Sequence, residues 1–327
     1  PNDPEFGRLW GLHNTGQTVN NNSGVADADI DAPQAWDITR GNPNVIITVI
    51  DTGADMDHPD LAANILPRGG EDWDFASAGD PVPEDQAGNS HGTHVCGTCA
   101  AADNAVGVIG VAHRCRLMPL RINLQTGMNQ NRADAINYTA AQAVANPNRR
   151  YVINCSWRMN GDHAGVRTAI RNAVANNVVV VFAAGNANSN TDVTPQFPGV
   201  YPEVISVAAL DIDDRKAGFS NFGANVDVAA PGVDIWSTTR NGNRGFLSGT
   251  SMAAPHVAGL AGLVWSRNRC LTNLQVRQVI EETCDNINGA NPNFVGMLGA
   301  GRINARRAVQ RANAGPAALS GTYTIQQ

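Results

Sequence analysis

The sequence has little charge and no dense run of basic residues. Of its 327 residues 16% are charged, and 23 Lys and Arg stand against 29 Asp and Glu, for a formal net charge of −6. A chain with this acidic balance lacks the basic surface that nucleic acid requires, so no nucleic-acid partner is expected. With 43% apolar residues the chain is also unlike a disordered protein, and a globular fold is predicted.

A stretch able to cross a membrane is missing too. The most lipid-like segment, 245–266, is interrupted by Ser, Thr, Pro, His and Gly, and a buried helix explains it better. The chain does not start with a basic and apolar leader. Because it starts at Pro1 and not at Met, we expect that a secretory signal peptide has been removed. Six cysteines permit disulfides and suit an oxidising compartment. We therefore expect a secreted protein, extracellular or periplasmic, with no membrane partner.

The sequence contains no internal repeat, and its hydrophobic pattern alternates between strands and helices. The runs 44–51, 151–157 and 178–184 are largely apolar and rich in β-branched residues, as in strands buried on both faces. Amphipathic segments at 132–145 and 163–177 separate them. This order predicts an α/β fold with a doubly wound, mainly parallel central sheet and helices on both faces.

No break in composition divides the chain into two domains. We expect one domain over 1–314, which begins with an irregular arm rich in Asn, Gly and Asp over 1–40. The tail at 315–327 lacks helical periodicity and is expected to be a surface strand or the stub of a linker.

Residues with catalytic chemistry stand at the ends of three distant elements. Asp51 ends a strand, His91 lies in the first turn of a helix that Asn89 and Ser90 can cap, and Ser251 begins a helix of small residues. Taken singly, each is also an ordinary turn or capping residue. Together, a carboxylate, an imidazole and a hydroxyl are the groups of a catalytic triad.

An amide donor follows another apolar strand. The side chain of Asn186, with the backbone N–H of Ser251, can stabilise the oxyanion of a tetrahedral intermediate. Gly185 before it allows close backbone approach, although Gly-Asn also makes simple turns.

Two other kinds of site compete at these positions. The D-T-G at Asp51 also occurs in aspartic proteases, but those enzymes need a second carboxylate that shares a proton, and the chain has no second D-T-G. His91, His94, Cys96 and Cys99 are residue types that bind zinc. However, H-G-T-H lacks the spacing and Glu of the helical zinc motif, and C-G-T-C has no second C-x-x-C. Zinc is therefore disfavoured, and His94 is expected to pack in the core.

In this order, the segments VIDTG, HGTHVCGT, AAGN and GTSMAAPHVAG resemble the four active-site blocks of the subtilisin family of serine peptidases, and PNDPEF, APQAWDI and HPDL resemble its thermitase-type members. The resemblance covers nearly the whole chain. It implies a serine endopeptidase in which Ser251 attacks the carbonyl carbon and His91 takes and returns the proton. Asp51 would hold the imidazole, and Asn186 would stabilise the oxyanion.

The resemblance also implies where a substrate lies and what it is. An extended peptide would add main-chain hydrogen bonds to two segments, formed by Ser156, Trp157, Arg158, Ala183, Ala184 and Gly185. Family members usually have paired glycines where this chain has Arg158 and Met159, so the preference of its pocket is open. Protein and peptide substrates of broad type, the chain's own propeptide and a monomeric state are expected.

Structural calcium is the cofactor that the resemblance implies. A first set of ligands comprises the side chains of Asp3, Asp60 and Asn104. The backbone carbonyls of Ala102, Val106 and Val108 complete it. A possible second set is Asp74, Asp80 and Asp85, in an acidic stretch whose length departs from the family pattern. A solvated acidic loop is the alternative there.

Cysteine pairing is open from sequence alone. Cys270 with Cys284, which bracket a predicted helix, is the favoured pair; Cys99 with Cys115 is a second, and Cys96 is expected to be a free thiol.

Two further functions share the catalytic residues. An inactive relative would bind peptides in the same groove, yet it would need neither the triad nor the oxyanion donor. A processing enzyme that passes its acyl group to an amine, and so ligates or cyclises peptides, would use every residue that a hydrolase uses. Hydrolysis of peptide bonds is the favoured prediction.

Overall fold

The structure is a computed structural model that describes residues 1–77, 79–86, 88–125 and 128–314. The predicted tail at 315–327 lies outside the described residues. The strands are β1 Thr18–Val19, β2 Asn22–Ser23, β3 Val45–Asp51, β4 Arg116–Arg121, β5 Arg150–Cys155, β6 Val179–Ala183, β7 Ile205–Leu210, β8 Val228–Pro231, β9 Ile235–Thr239 and β10 Asn243–Leu247. Strands β3 to β8 form one parallel sheet in the order β4-β3-β5-β6-β7-β8.

Helices cover this sheet. The α-helices are α1 Ala32–Trp36, α2 His91–Ala100, α3 Asn129–Ala145, α4 Ala164–Ala175, α5 Thr250–Arg267, α6 Asn273–Glu282 and α7 Ala305–Arg311. Short 3-10 helices are formed by Phe6–Arg8, Pro292–Phe294 and Ala312–Ala314. Among the described residues, no helix combines the length and the apolar character that a bilayer crossing requires.

The two faces of the sheet belong to two separate hydrophobic cores. Val45, Ile47 and Val49 of β3 pack in one core, together with residues of α2 and α5. Ile46 and Ile50 point the other way, into a core built with α3 and α4. Every residue of β3 is buried, and each buried Ile or Val side chain contributes about 1.5–3 kcal/mol to folding. The prediction of a parallel sheet with helices on both faces is confirmed.

The strand order reverses at β3, because the chain continues to β4 on one side of it and to β5 on the other. At such a switch point, a crevice opens beyond the carboxyl ends of the strands. Asp51 is the last residue of β3, and Ile50 before it pairs with Cys155 of β5. This register places Asp51 beside Ser156, which is the next residue after β5.

A hairpin that the hydrophobic pattern did not predict packs against α2. Strands β9 and β10 are antiparallel, and Asn241 and Gly242 in their turn have φ of 61° and 68°. An Asn-Gly pair is a common hairpin signal, so the sequence did contain a clue. The hairpin donates from Thr238 Oγ1 to Thr93 O at 2.7 Å and from Ser237 Oγ to His94 O at 2.8 Å. It therefore fixes the helix that carries His91.

The cysteine predictions are wrong except for Cys96. All six cysteines, which lie within the described residues, are free thiols. Cys270 and Cys284 stand at opposite ends of α6, a helix of 10 residues. Such a helix is about 15 Å long, well beyond the Cα separation of about 7 Å that a disulfide can span. Cys99 and Cys115 are both buried and unpaired as well.

Candidate active site

A buried carboxylate and an imidazole meet at the switch point of the sheet. Asp51 Oδ1 and His91 Nδ1 are 2.7 Å apart, and the Asp51 side chain is fully buried whereas that of His91 is 24% exposed. Asn89 Oδ1 accepts from the backbone N–H of His91 at 2.9 Å, as expected of a residue at the start of a helix. Ser90 Oγ instead accepts from the backbone N–H of Arg240. The imidazole is thus held at one nitrogen and accessible at its other edge.

The charges around His91 favour its protonated form. Burial lowers the pKa of His91, but the Asp51 carboxylate, its hydrogen bond and the more distant Asp85 raise it by more. The pKa of His91 therefore lies above the ordinary value of about 6.5. A histidine of this kind can take a proton during a reaction and keep it until a leaving group needs it.

Ser251 lies in the first turn of α5 and is tied to the loop after β5. Its Oγ donates to Ser156 O at 3.1 Å, and Ser156 Oγ donates to Ser251 O at 2.8 Å. The second bond has a sequence cause: Pro255 has no N–H, so the carbonyl four residues earlier lacks its helical partner. The Ser156 hydroxyl replaces that partner, and Ser251 stays next to the strand end where Asp51 lies.

Asn186 caps the same helix, and within the described ranges its amide nitrogen makes no hydrogen bond. Asn186 Oδ1 accepts from Thr250 N at 2.9 Å and from Thr250 Oγ1 at 2.8 Å, which fixes the orientation of the amide group. A Cβ added at Gly249 would lie 3.4 Å from Asn186 Nδ2 and 3.7 Å from Ser251 Cβ. The amide nitrogen and the serine therefore border one small space, which the missing side chain of Gly249 keeps open.

A cavity of about 360 Å³ opens beside Ser251. Its lining residues are Leu124, Ser156, Trp157, Arg158, Ala183, Gly185, Asn186, Ala187, Gln196, Thr250 and Ser251. Trp157 is fixed in its wall, because its Nε1 donates to Ile50 O at 2.9 Å. Of the predicted substrate-binding residues only Ala184 is absent from the lining: it is buried in a third core, and its carbonyl accepts from Asn221 Nδ2.

His94 packs in the core, as its sequence context indicates. Its Nε2 lies 2.9 Å from Ile235 O and 3.2 Å from Gly245 O, so it joins α2 to the β9–β10 hairpin. Burial lowers the pKa of His94 to about 3, and the ring is neutral at physiological pH. It holds the helix in place and does not face the cavity beside Ser251.

Comparison with known proteins identifies the family. The Subtilase family profile matches residues 42–301. Thermitase from Thermoactinomyces vulgaris is 40% identical over 284 residues, which are 86% of this chain and 94% of that protein. A thermophilic serine proteinase from Bacillus sp. strain AK1 is 42% identical over 278 residues, which are 84% of this chain and 64% of that protein.

The chain belongs to the subtilase family. Its enzyme class is serine endopeptidase. A solved structure agrees: a protease from Pseudoalteromonas arctica PAMC 21717 superposes with a TM-score of 0.81 at 31% identity, covering 95% of this chain and 99% of that one. The parallel sheet described above is thus the subtilase sheet.

In this subtilase the segments that carry Asp51 and His91 are linked by a residue that the sequence had not singled out for that role. Asp85 Oδ1 accepts from Thr52 Oγ1 at 2.6 Å, and its Oδ2 accepts from Thr93 Oγ1 at 2.6 Å and from Thr93 N at 3.0 Å. Thr52 follows Asp51, and Thr93 is two residues after His91. One buried carboxylate therefore links the segments that carry Asp51 and His91.

The fold places residues of the first predicted calcium set close together. Asn104 N donates to Asp3 Oδ1 at 3.3 Å, and Val108 N donates to Asp60 Oδ2 at 3.2 Å. Asp3 Oδ2 and Asp60 Oδ1 are buried without a hydrogen-bond partner among the described residues. The other oxygen of Asp60 is taken by Arg244, whose Nη2 lies 2.9 Å away. Two orphaned carboxylate oxygens beside a loop rich in carbonyls fit a hard cation such as calcium.

The second calcium set is a wrong prediction. Both oxygens of Asp85 are occupied by the two threonines. Asp74 accepts from Ala76 N at 2.7 Å and from Arg121 Nη1 at 2.9 Å, while Asp80 accepts from Val82 N. Among the described residues, no group of three or more His, Cys, Asp or Glu side chains could hold a metal ion. Each of the three carboxylates instead accepts hydrogen bonds from donors within the protein.

Proposed function

We propose that this subtilase hydrolyses peptide bonds with Asp51, His91 and Ser251 as its triad and Asn186 as its oxyanion donor. The observation that carries the proposal is the 2.7 Å hydrogen bond between Asp51 Oδ1 and His91 Nδ1 at the switch point of the sheet. Because Nδ1 is engaged, the free Nε2 is the nitrogen that can accept a proton from a serine. Ser251 stands at the start of the neighbouring helix for this purpose.

The reaction starts with a rotation of the Ser251 side chain. Its Oγ leaves Ser156 O, turns towards His91 Nε2 and attacks the carbonyl carbon as the proton moves to the imidazole. The resulting oxyanion accepts from Asn186 Nδ2 and from the backbone N–H of Ser251. His91 then gives its proton to the leaving amine, and water releases the acyl group by the same route.

The remaining predictions accompany this proposal. Residues 1–314 act as one peptidase domain, and calcium, when bound by Asp3, Asp60, Asn104 and the carbonyls of Ala102, Val106 and Val108, secures the N-terminal arm without a part in the chemistry. The substrate runs as a strand past Ser156–Arg158 and Ala183–Gly185. Secretion, a removable propeptide and a monomeric state remain predictions.

Labelling with a fluorophosphonate and cleavage of casein test the triad. Ser251→Ala is expected to abolish labelling and to lower turnover by about 10⁶-fold, a magnitude carried over from subtilisin. Ser248→Ala is the matched control, because Ser248 lies three positions earlier, is exposed and accepts from Asp234 N. The proposal is wrong if Ser251→Ala still labels and cleaves. Products joined to an added amine would instead indicate ligation.

A further inference from the structure

A second cavity of about 380 Å³ adjoins the one beside Ser251. Its lining residues are Leu124, Asn129, Arg132, Arg158, Asn160, Gly161 and Asp162. Leu124 and Arg158 line both cavities, so they form a shared wall. The two cavities are therefore direct neighbours.

Arg132 is a buried cation in the wall of this second cavity. It is 3% exposed, its Nη1 donates to Asn129 Oδ1 at 2.8 Å, and its Nη2 donates to Leu124 O at 3.2 Å. Its guanidinium stacks on Trp157 at 5.0 Å from the ring centroid. Its Nε is buried and has no partner among the described residues, and within them no carboxylate pairs with this guanidinium. A buried charge without a counter-ion is costly, so an anionic partner would be favoured here.

Arg158 adds a second positive charge on the shared wall. It is exposed, and within the part of the chain that the structure describes no hydrogen bond or ion pair engages its guanidinium. Asp162 is the one acid in the lining, and its Oδ1 accepts from the hydroxyl of Tyr201. Two guanidinium groups against one carboxylate leave the lining with a net positive charge.

We propose that this second cavity binds an aspartate or glutamate side chain of the substrate, a few residues from the bond that is cut. The proposal rests on the peptidase function proposed above. Arg158 presents N–H groups whose planar fork matches a carboxylate, and Leu124 offers an apolar surface to the methylene stem. The buried Arg132 adds positive charge behind them without a free fork of its own, because both of its Nη atoms already donate within the protein. Residues of an extended peptide rise about 3.3 Å each, so a neighbouring cavity is reached within a few residues.

Paired quenched peptides test the charge preference. Each pair places Glu or Gln at the same position, and the position is moved along both sides of the scissile bond. Wild type is expected to cleave the Glu peptide roughly 10-fold faster in kcat/KM than the Gln peptide at one position, the size of a charge-assisted hydrogen bond. The ratio should fall as salt is added, because the site is partly exposed.

Variants at Arg158 identify the residue responsible. Arg158→Gln should bring the Glu-to-Gln ratio of kcat/KM close to one, and Arg158→Glu should favour a Lys peptide instead. The ratio is the readout, because Arg158 also lines the cavity beside Ser251 and its substitution can change the absolute rate on both peptides. Arg158→Lys keeps the charge but not the fork and should restore part of the preference. Arg306→Gln is the control, since Arg306 is exposed and lines a different cavity.

The outcomes separate this inference from the proposed function. Equal rates on Glu and Gln peptides at every position, or a ratio that Arg158→Gln leaves unchanged, would overturn the acidic preference while cleavage by Ser251 stands. Cleavage of all peptides by Ser251→Ala would overturn the peptidase mechanism itself. Arg132→Lys, checked for folding by thermal unfolding, should lower the ratio without removing activity on the Gln peptide.

Discussion

Buried carboxylates near the two ends of α2 differ in whether the protein supplies hydrogen-bond donors to their oxygens. At the N-terminal end of α2, which with the start of α5 forms the proposed catalytic edge, both oxygens of Asp85 accept hydrogen bonds from Thr52 and Thr93. Beside the loop 102–108, which follows the C-terminal end of α2, Asp60 Oδ1 and Asp3 Oδ2 are buried without a partner among the described residues. Near the first end the protein itself supplies donors to both carboxylate oxygens. Near the second end two carboxylate oxygens lack such donors, which is the arrangement that the proposed calcium site needs.

This contrast separates activity from stability. Groups at the catalytic edge are positioned by hydrogen bonds inside the protein, so substitutions there should change turnover more than folding. The loop 102–108 binds the N-terminal arm through Asp3 and Asn104, and a cation there should change folding more than turnover. The three predictions that follow test this division, in order of decreasing effect.

Asn186→Ala should lower kcat by roughly 100- to 1,000-fold with little change in KM, the effect of a lost oxyanion donor in subtilisin. Steady-state kinetics on a peptide ester and on a peptide amide measure it. Thr250→Val should cause an intermediate loss, because it removes the hydroxyl that donates to Asn186 Oδ1. Thr250→Ser keeps that hydroxyl and should behave like wild type. A wild-type kcat in Asn186→Ala would remove Asn186 from the mechanism.

Asp85→Asn should lower kcat/KM by roughly tenfold and move its acid limb to lower pH. In the proposed mechanism activity requires neutral His91, whose pKa is raised above the ordinary value of 6.5, so the acid limb of the wild type lies at correspondingly higher pH. The Asp85 charge contributes to raising that pKa, so its removal lowers the pKa of His91 and less of the enzyme is protonated at a given pH.

The pH profile of kcat/KM distinguishes positioning from a general loss of structure. Asp57→Asn is the matched control, since Asp57 is an exposed carboxylate on the loop after β3. Its acid limb should coincide with that of the wild type. An unshifted limb in Asp85→Asn would show that Asp85 does not act on the imidazole.

Chelation should have the smallest effect on turnover and act on stability instead. Removal of calcium is expected to lower Tm by roughly 5 °C, as for a ligand present well above its Kd, and added calcium should restore it. Asp3→Asn should abolish this calcium-dependent shift. Asp80→Asn should keep it, because Asp80 is exposed and accepts from Val82 N within its own turn. A Tm that ignores both chelator and calcium would contradict the first calcium set.

The parallel sheet was predictable because its strands are apolar on both faces and its helices are amphipathic, which are local properties. The positions of Asp51, His91, Asn186 and Ser251 at element ends were predictable for the same reason. The β9–β10 hairpin was missed, because its strands carry Trp, Ser, Thr and Arg without a strict alternation. The predicted Cys270–Cys284 disulfide was wrong because the helix α6 lies between the two cysteines and holds them apart. Their closeness in sequence does not show this distance.

By itself, the sequence determined the order of elements, the family and which groups could do chemistry, since each depends on residue types and on spacing along the chain. Only the tertiary structure decided which partners the buried carboxylates have. Asp85 accepts hydrogen bonds from two threonines, and one oxygen of Asp60 pairs with Arg244. It also decided that Arg132 is buried next to Arg158 with no counter-ion among the residues that the structure describes. These facts depend on which donors and charges distant segments bring together, and no local pattern encodes that.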